Sequence, residues 1–357
     1  MSRGLAIRPF QDQDEAGILG LRRRVFGDLD PVRARPAVWR WQFLHNPAGR
    51  AVCAVAEDRD RIVGQYAAIP TRFSVQGKEM RFALSCDTMI HPDYRRRGLF
   101  TLLARDVYRR LEEDKGITTV WGFPNEASLP GFTRRLDWRL LAVFPVRAAV
   151  MRPLTLLGAT LGLKRIAGRI PVADNTGILG RISDVMSGFE VQSVRRFGRE
   201  YDALWHRRRD LAPIIQVRDA DYLNWRYGAV PEFGYHAFSI REREELLGYM
   251  VIRCMSLMGH FFGVLTDLFP FPVKDLFTTR QLFRVARDWC RDQGAAFMTC
   301  LFSRAAPSFL RAAGLRTVPA LLNPRKWHFG ARYGPNEVHL LGVPQNWHLT
   351  YGDTDIV

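Results

Sequence analysis

A chain of 357 residues that is 47% apolar and 25% charged can bury the cores of two ordinary domains, and that balance excludes a disordered or collagen-like protein. The formal net charge is +16, with only five lysines among the basic residues. Such an arginine excess fits either a basic surface with no special partner or an acidic ligand, whether a phosphate-bearing small molecule, an anionic membrane face or RNA.

Residues 5–8 read as a first strand, followed by an apolar-periodic helix through Val25 and Phe26 with Asp12 or Asp14 as its cap. An aromatic helix end, Trp39 to Leu44, is closed by Pro47. Residues 51–56 and 62–69 are two strands joined by a charged turn, and 71–75 and 80–90 form the next hairpin, turning at Gln76-Gly77-Lys78. Leu99, Leu102, Leu103, Val107 and Leu111 mark a helix that stops at Gly116, a residue suited to a C-cap. A strand at 118–123 runs into Pro124-Asn125-Glu126, then come a short helix at 130–136 and a strand at 139–144.

Between the strand at 80–90 and the helix from Leu99 lies His91-Pro92-Asp93-Tyr94-Arg95-Arg96-Arg97-Gly98, continuing into Leu99-Phe100-Thr101. A helix start offers unpaired N–H groups and the positive end of the helix dipole. Gly98 lets backbone approach a ligand and the arginines add charge, so the turn has the chemistry of a phosphate site. The stretch resembles the acyl-CoA-binding motif of the GNAT family of N-acetyltransferases: arginine or glutamine, two residues, glycine, one residue, then glycine or alanine. Arg95 and Gly98 match it, and Phe100 stands where the family has the small residue. The resemblance covers about residues 5–150, where the element order β-α-β-β-β-α-β-α-β is that of the GNAT fold.

The resemblance implies acetyl-CoA as acyl donor. Its phosphates would lie on Arg95, Arg96, Arg97, Gly98, Leu99, Phe100 and Thr101, and its pantetheine arm would run along the backbone of Thr88, Met89 and Ile90 and meet Asn125. In the family a tyrosine seven residues beyond that asparagine often protonates the departing thiolate; here the position is Phe132. Aminolysis of a thioester also needs a base within hydrogen-bond reach. Asp87, on the strand beside the thioester, is the first candidate, and Glu126 is a second. Cys86 reads as a small core residue rather than a nucleophile.

Residues 151–190 change composition. The apolar, basic-ended stretch 153–169 reads as a linker helix packed between domains or as an amphipathic contact with an anionic membrane face. Beyond it the pattern repeats. Trp41, Pro47 and Gly64 recur as Trp225, Pro231 and Gly248; Ala104-Arg105-Asp106 recurs as Ala286-Arg287-Asp288; Pro130-Gly131-Phe132 recurs as Pro307-Ser308-Phe309. The second copy lacks the glycine turn: Arg280 aligns with Gly98 and Phe302 with Asn125. In the tail, Asp353, Asp355 or the terminal carboxylate are possible bases and Tyr351 a possible acid, beside the plainer reading of an ordered edge.

The expected architecture is therefore α/β (α+β): two GNAT-like domains, each a mixed, mostly antiparallel twisted sheet flanked by helices. The expected boundaries are 1–150, a connection at 151–190, and a degenerate copy at 191–357. The five cysteines, Cys53, Cys86, Cys254, Cys290 and Cys300, form no CxxC pair, so neither a disulfide framework nor a metal site is expected. With no signal-peptide-like segment and no run of about 18 apolar residues, a cytoplasmic location is the expectation. The leading function is transfer of an acetyl or similar group from acetyl-CoA to a primary amine of a small acceptor. The alternatives are an aminoacyl-tRNA-dependent FemABX-like transferase, disfavoured because a tRNA-dependent enzyme does not need the intact arginine-glycine turn, and a non-catalytic CoA-binding scaffold.

Overall fold

Period-two alternation divides residues 52–56 between two cores: Val52, Ala54 and Ala56 enter one hydrophobic cluster, while Cys53 and Val55 enter another. That pattern needs a sheet covered on both faces, and the computed structural model, which describes residues 4–27, 31–153, 189–257, 260–319 and 326–355, contains two such sheets. The strands are β1 (Leu5–Pro9), β2 (Val52–Asp58), β3 (Arg61–Val75), β4 (Lys78–Ile90), β5 (Val120–Gly122), β6 (Arg139–Phe144), β7 (Arg147–Val150) and β8 (Glu190–Val194). They continue with β9 (Ile214–Gln216), β10 (His236–Glu242), β11 (Glu245–Leu257), β12 (His260–Phe269), β13 (Phe297–Cys300), β14 (Arg316–Thr317), β15 (Trp327–Arg332) and β16 (Trp347–His348). The principal helices are α1 (Glu15–Phe26), α2 (Pro36–Phe43), α3 (Leu99–Lys115), α4 (Leu129–Arg135), α5 (Arg199–Arg208), α6 (Leu276–Asp292) and α7 (Pro307–Ala312).

The chain forms two compact units, Met1–Phe144 with Lys326–Asn346, and Pro145–Arg325 with Trp347–Val357. The first holds a sheet in the order β1-β2-β3-β4-β5-β15-β6. Its neighbours run antiparallel except β4 and β5, which are parallel through Ala83↔Val120 and Leu84↔Trp121. Ile18, Leu19 and Leu21 of α1 and Trp39 and Phe43 of α2 cover one face. Leu99, Leu103, Val107 and Leu111 of α3, spaced four apart, cover the other together with Phe132 of α4. Full burial of each such Leu or Val side chain contributes about 1.5–3 kcal/mol. Helix α3 ends where Gly116 takes a left-handed φ of 64° and returns its N–H to Glu112 and Leu111.

In the second unit the order is β8-β10-β11-β12-β13-β7-β14, again antiparallel except for one parallel pair, β12 with β13. Leu282, Phe283 and Ala286 of α6 and Leu310 of α7 cover one face; Tyr201, Leu204 and Trp205 of α5 cover the other. The short strands β9 and β16 pair in parallel through Trp347↔Ile214 and His348↔Ile215. Read position by position, β1 answers to β8, β2 to β10, β3 to β11, β4 to β12, β5 to β13, β15 to β7 and β6 to β14. The parallel pair falls at the same place in both, and α3 and α6 are each 17 residues long. The two sheets thus share one topology, as the sequence repeat leads one to expect.

Three details depart from the sequence reading. The units do not divide at 150 and 191: β15, near the end of the chain, lies between β5 and β6, and β7, at 147–150, pairs with β13 and β14. Strand β3 does not break at Pro70. Ala83 sends its N–H to Thr119 on the β5 side, so Pro70↔Ala83 is a non-hydrogen-bonded pair, and the proline nitrogen faces the side where the β2 register has ended at Val52↔Ala68. Finally, α6 begins at Leu276, so the residue at its threshold is Asp275 and not Arg280. The stretch 154–188, with nearly all of the expected linker or membrane segment, lies outside the described residues.

Candidate functional site

The site is built by a strand that parts from its neighbour. Strand β4 pairs with β5 only as far as Leu84↔Trp121. On its other edge the register with β3 slips between Ala67↔Cys86 and Gln65↔Met89, so Asp87 and Thr88 face the single residue Tyr66. This is a β-bulge, and Asp87 adopts the positive φ of 46° that aspartate tolerates better than most side chains. A bulge bends and twists its strand, which carries residues 86–90 away from β5. The edge of β4 that would have met β5 has no strand partner there among the described residues. Thr88, Met89 and Ile90 lie on this stretch, with the Met89 side chain buried among residues of α1 and α2.

Asp87 itself does not stand free. Its Oδ2 accepts from Arg22 Nη1 at 2.6 Å, and both side chains are only 7% exposed. Its backbone carbonyl accepts from Gln65 Nε2 at 3.3 Å. The expected base is therefore the inner half of an ion pair that ties α1 to the bulge. Glu126 is held by Lys326 at 3.0 Å on the surface, which lowers its pKa. Cys86 is a buried core residue.

After Ile90 the chain makes a one-turn 3-10 helix at Pro92–Tyr94 and then the arginine turn. Two contacts brace it from the β2–β3 hairpin. Tyr94 Oη donates to Asp58 at 2.6 Å, and Arg61 donates to Nε2 of the buried His91 at 2.7 Å. Arg97 donates to the Asp93 carbonyl at 2.9 Å and lies over the Tyr94 ring. Arg95 Nε donates to the Ile90 carbonyl at 3.4 Å, and the exposed Arg96 has no partner among the described residues. Arg96 and Gly98 take positive φ values of 61° and 78°, so a left-handed residue immediately precedes the right-handed helix. Such a succession turns consecutive N–H groups to one side as an anion cradle.

Gly98 is the N-cap of α3 and has no side chain to cap it. Thr101 and Leu102 return their N–H groups to the Gly98 carbonyl, leaving the N–H groups of Gly98, Leu99 and Phe100 without a partner among the described residues. A Cβ built on Gly98 would meet nothing within 4 Å. Thr101 Oγ1 is buried at the same helix start with no partner among the described residues. Leu99 points into the core and contributes only its backbone. Phe100 packs against Phe132 with ring centroids 5.1 Å apart, and a Cβ on Gly131 would stand 2.7 Å from it. The bulk at position 100 is thus taken up by α4 rather than by the cradle.

Asn125 follows β5. Its Oδ1 accepts from Ser128 N at 2.9 Å, which leads the chain into α4, and its exposed Nδ2 has no partner among the described residues. Phe132, at the position of the family's tyrosine, is buried between Tyr66, Phe100 and Trp138. The sequence reading missed what lies around that ring. Trp138 Nε1 donates to Tyr108 Oη at 2.8 Å, Tyr108 and Tyr66 hydroxyls are 2.8 Å apart, and Tyr66 Oη lies 2.7 Å from Ser85 Oγ. Burial holds both phenols well above their usual pKa, so both stay protonated. The available signal was a serine and two tyrosines on the α3-facing side of an otherwise apolar core.

The corresponding place in the second unit is closed. Asp275 caps α6 by accepting from Thr278 N at 2.6 Å, a bond that lowers its carboxyl pKa. A fixed carboxylate at a helix start satisfies the amides that would otherwise receive an anion. Asp353 and Tyr351 of the tail are held as well, and the terminal carboxylate lies outside the described residues. Asp353 is fully buried against Arg218 at 2.9 Å, and Arg218 also meets Asp267 at 3.2 Å. Tyr351 shares a hydrogen bond with Thr299. Asp353 is thus part of a buried ionic cluster in its own unit and not an available base.

The sequence model of an acetyltransferase (GNAT) domain matches residues 6–141. No curated protein compared with the chain matches it. Among solved structures, a GCN5-related N-acetyltransferase from Anabaena variabilis is similar over 95% of this chain and 75% of its own, at 12% identity and a TM-score of 0.56. N-myristoyltransferase from Saccharomyces cerevisiae, solved with bound myristoyl-CoA, is similar over 93% of this chain and 83% of its own, at 10% identity and a TM-score of 0.60. A GCN5-related N-acetyltransferase from Kribbella flavida is similar over 95% and 74%, at 15% identity and a TM-score of 0.55. At these identities the likeness is one of fold. Residues 6–141 thus match the model of a GNAT acetyltransferase domain, and the solved structures share the fold.

Proposed function

We propose that the first unit is an acyl-CoA-dependent N-acyltransferase. It would move an acetyl or similar acyl group from CoA to a primary amine by direct attack within a ternary complex. The observation that carries this reading is the open start of α3, with three unpartnered N–H groups, an orphaned Thr101 hydroxyl and the unpaired Arg96 beside Gly98. These groups suit a pyrophosphate, by charge and by donor count. Arg95 and Arg97 would add positive charge from either side of the turn.

The unpaired edge of β4 at Thr88, Met89 and Ile90 suits an extended arm bearing amides, and Asn125 Nδ2 is a further donor beside it. In such a complex the rate comes chiefly from holding amine and thioester together, an effect worth up to about 7–11 kcal/mol in well-oriented systems. Asp87, paired with Arg22, serves in this reading to hold the bulge and not to take a proton. The second unit shares the fold without a phosphate cradle, and acts as a degenerate copy.

Calorimetric titration of acetyl-CoA, with myristoyl-CoA and free CoA alongside, tests the reading. Micromolar binding is expected, lost in Gly98→Glu, whose side chain would place a carboxylate in the open space before α3. No binding of any of the three would overturn it and bring forward the tRNA-dependent or scaffold alternatives.

A further inference from the structure

We infer that the Ser85 hydroxyl is a fixed hydrogen-bond donor to the thioester sulfur, oriented by a directional chain from Trp138 through Tyr108 and Tyr66. The inference rests on the acyl-CoA reading of the first unit.

Direction follows from donor chemistry. An indole nitrogen only donates, so Trp138 fills an acceptor site on Tyr108 at 2.8 Å. Tyr108 has one proton and one hydroxyl in reach that can take it, Tyr66 at 2.8 Å. Tyr66 passes its own proton on to Ser85 Oγ at 2.7 Å. The reverse order would leave the Tyr108 proton facing an N–H inside the core, an unmet donor costing about 1–3 kcal/mol. Ser85 therefore receives a hydrogen bond from within, and its own proton has no acceptor among the described residues.

Ser85 stands where that proton is useful. It is one residue past the last β4–β5 pair, Leu84↔Trp121, and two before the bulge at Asp87. Unlike the fully buried Tyr66, it is only partly covered. Across from it Gly122 has no side chain, and a Cβ there would stand 3.1 Å from the Ser85 carbonyl. The strands are thus still close at Ser85, and β4 leaves β5 in the residues that follow it toward the bulge.

The reaction balances without spending the Ser85 proton. The amine nitrogen forms a bond to the carbonyl carbon, the C–S bond breaks, and its electron pair goes to sulfur. The nitrogen releases one proton to solvent and the thiolate takes one back. Ser85 stabilises the charge on sulfur while it lasts, as a preorganised donor does. The phenols behind it keep their protons because burial disfavours phenolate.

The test needs no acceptor. Ionisation of the thiol of bound free CoA is followed by its thiolate ultraviolet absorbance in wild type, Ser85→Ala, Ser85→Thr and Tyr66→Phe. A donor to the charged form lowers the thiol pKa, so Ser85→Ala should raise it by about one unit. Ser85→Thr should restore the wild-type value, and Tyr66→Phe should fall between. CoA affinity at neutral pH should change by less than about twofold, since the phosphates and not the sulfur anchor the ligand. Equal thiol pKa in wild type and Ser85→Ala, with both binding CoA, would overturn the inference alone. Failure of the wild type to bind CoA would overturn the acyl-CoA reading on which it stands.

Discussion

Arg22 reaches from α1 to Asp87 across 2.6 Å and holds the bulged residue whose φ is positive. The pair links a helix to the point where β4 leaves β5, so its chemistry is architectural. Because both side chains are nearly buried, removing either partner leaves an uncompensated charge. Arg22→Met and Asp87→Asn are each expected to cost about 3–5 kcal/mol in urea unfolding. The double variant Arg22→Met/Asp87→Leu should lose less than the sum of the two. An Asp87→Asn protein of wild-type stability that has lost turnover would instead identify Asp87 as a base.

The same reasoning applies with more force in the second unit. Arg218 lies between Asp267 and Asp353, all three essentially without solvent contact. Tyr227 and Tyr249 donate to Asp267 at 3.1 and 2.9 Å, and Arg226 donates to the Gly352 and Thr354 carbonyls. Arg218→Met should destabilise by about 3–5 kcal/mol and free the last residues for carboxypeptidase digestion. Adding Asp353→Asn should recover part of the loss. A fully stable Arg218→Met protein would show that the tail is held by its apolar contacts.

Burial also makes one histidine a pH liability. His348 is enclosed with neither ring nitrogen partnered among the described residues, and desolvation, reinforced by nearby Arg218, depresses its pKa to about 3. In the unfolded chain the value is about 6.5. Between these two pH values the unfolded state binds a proton that the native state refuses, so stability is full above about pH 6.5 and falls as the pH drops. The slope from this residue is about 1.4 kcal/mol per pH unit. Urea midpoints measured from pH 6.5 to 4.5 should fall less steeply in His348→Leu than in the wild type. Parallel lines would mean that His348 takes up its proton in the native state.

The strand-turn-helix around Gly98 was legible in the sequence because its signal is local: a strand, three arginines, one glycine and an apolar stripe lie within about thirty residues. The repeat was legible for a similar reason, since Trp41, Pro47 and Gly64 keep their spacing in the second half. What escaped depends on pairing at long range. Nothing in residues 327–332 says that they insert between β5 and β6, and nothing at Pro70 says on which edge its missing N–H falls. The role of Asp87 also depended on a partner 65 residues away. The Ser85 chain draws on three strands or loops and a helix, each contributing a single polar atom to an apolar face, and such a chain leaves no periodicity to read.

On the acyl-CoA reading, the difference between Gly98 and Asp275 predicts how many CoA molecules the chain binds. Both residues are N-caps of 17-residue helices that follow the fourth strand of their sheets. Gly98 leaves the amides of α3 open, whereas Asp275 accepts from Thr278 N at 2.6 Å and carries its own negative charge to the place a phosphate would occupy. A second anion there would meet repulsion and find its donors already used. Calorimetry of the full chain should therefore return a stoichiometry of one. Gly98→Glu should abolish binding altogether and expose no weaker second site. Two equivalents, or residual binding in Gly98→Glu, would mean that the second unit keeps a ligand site that its helix cap does not govern.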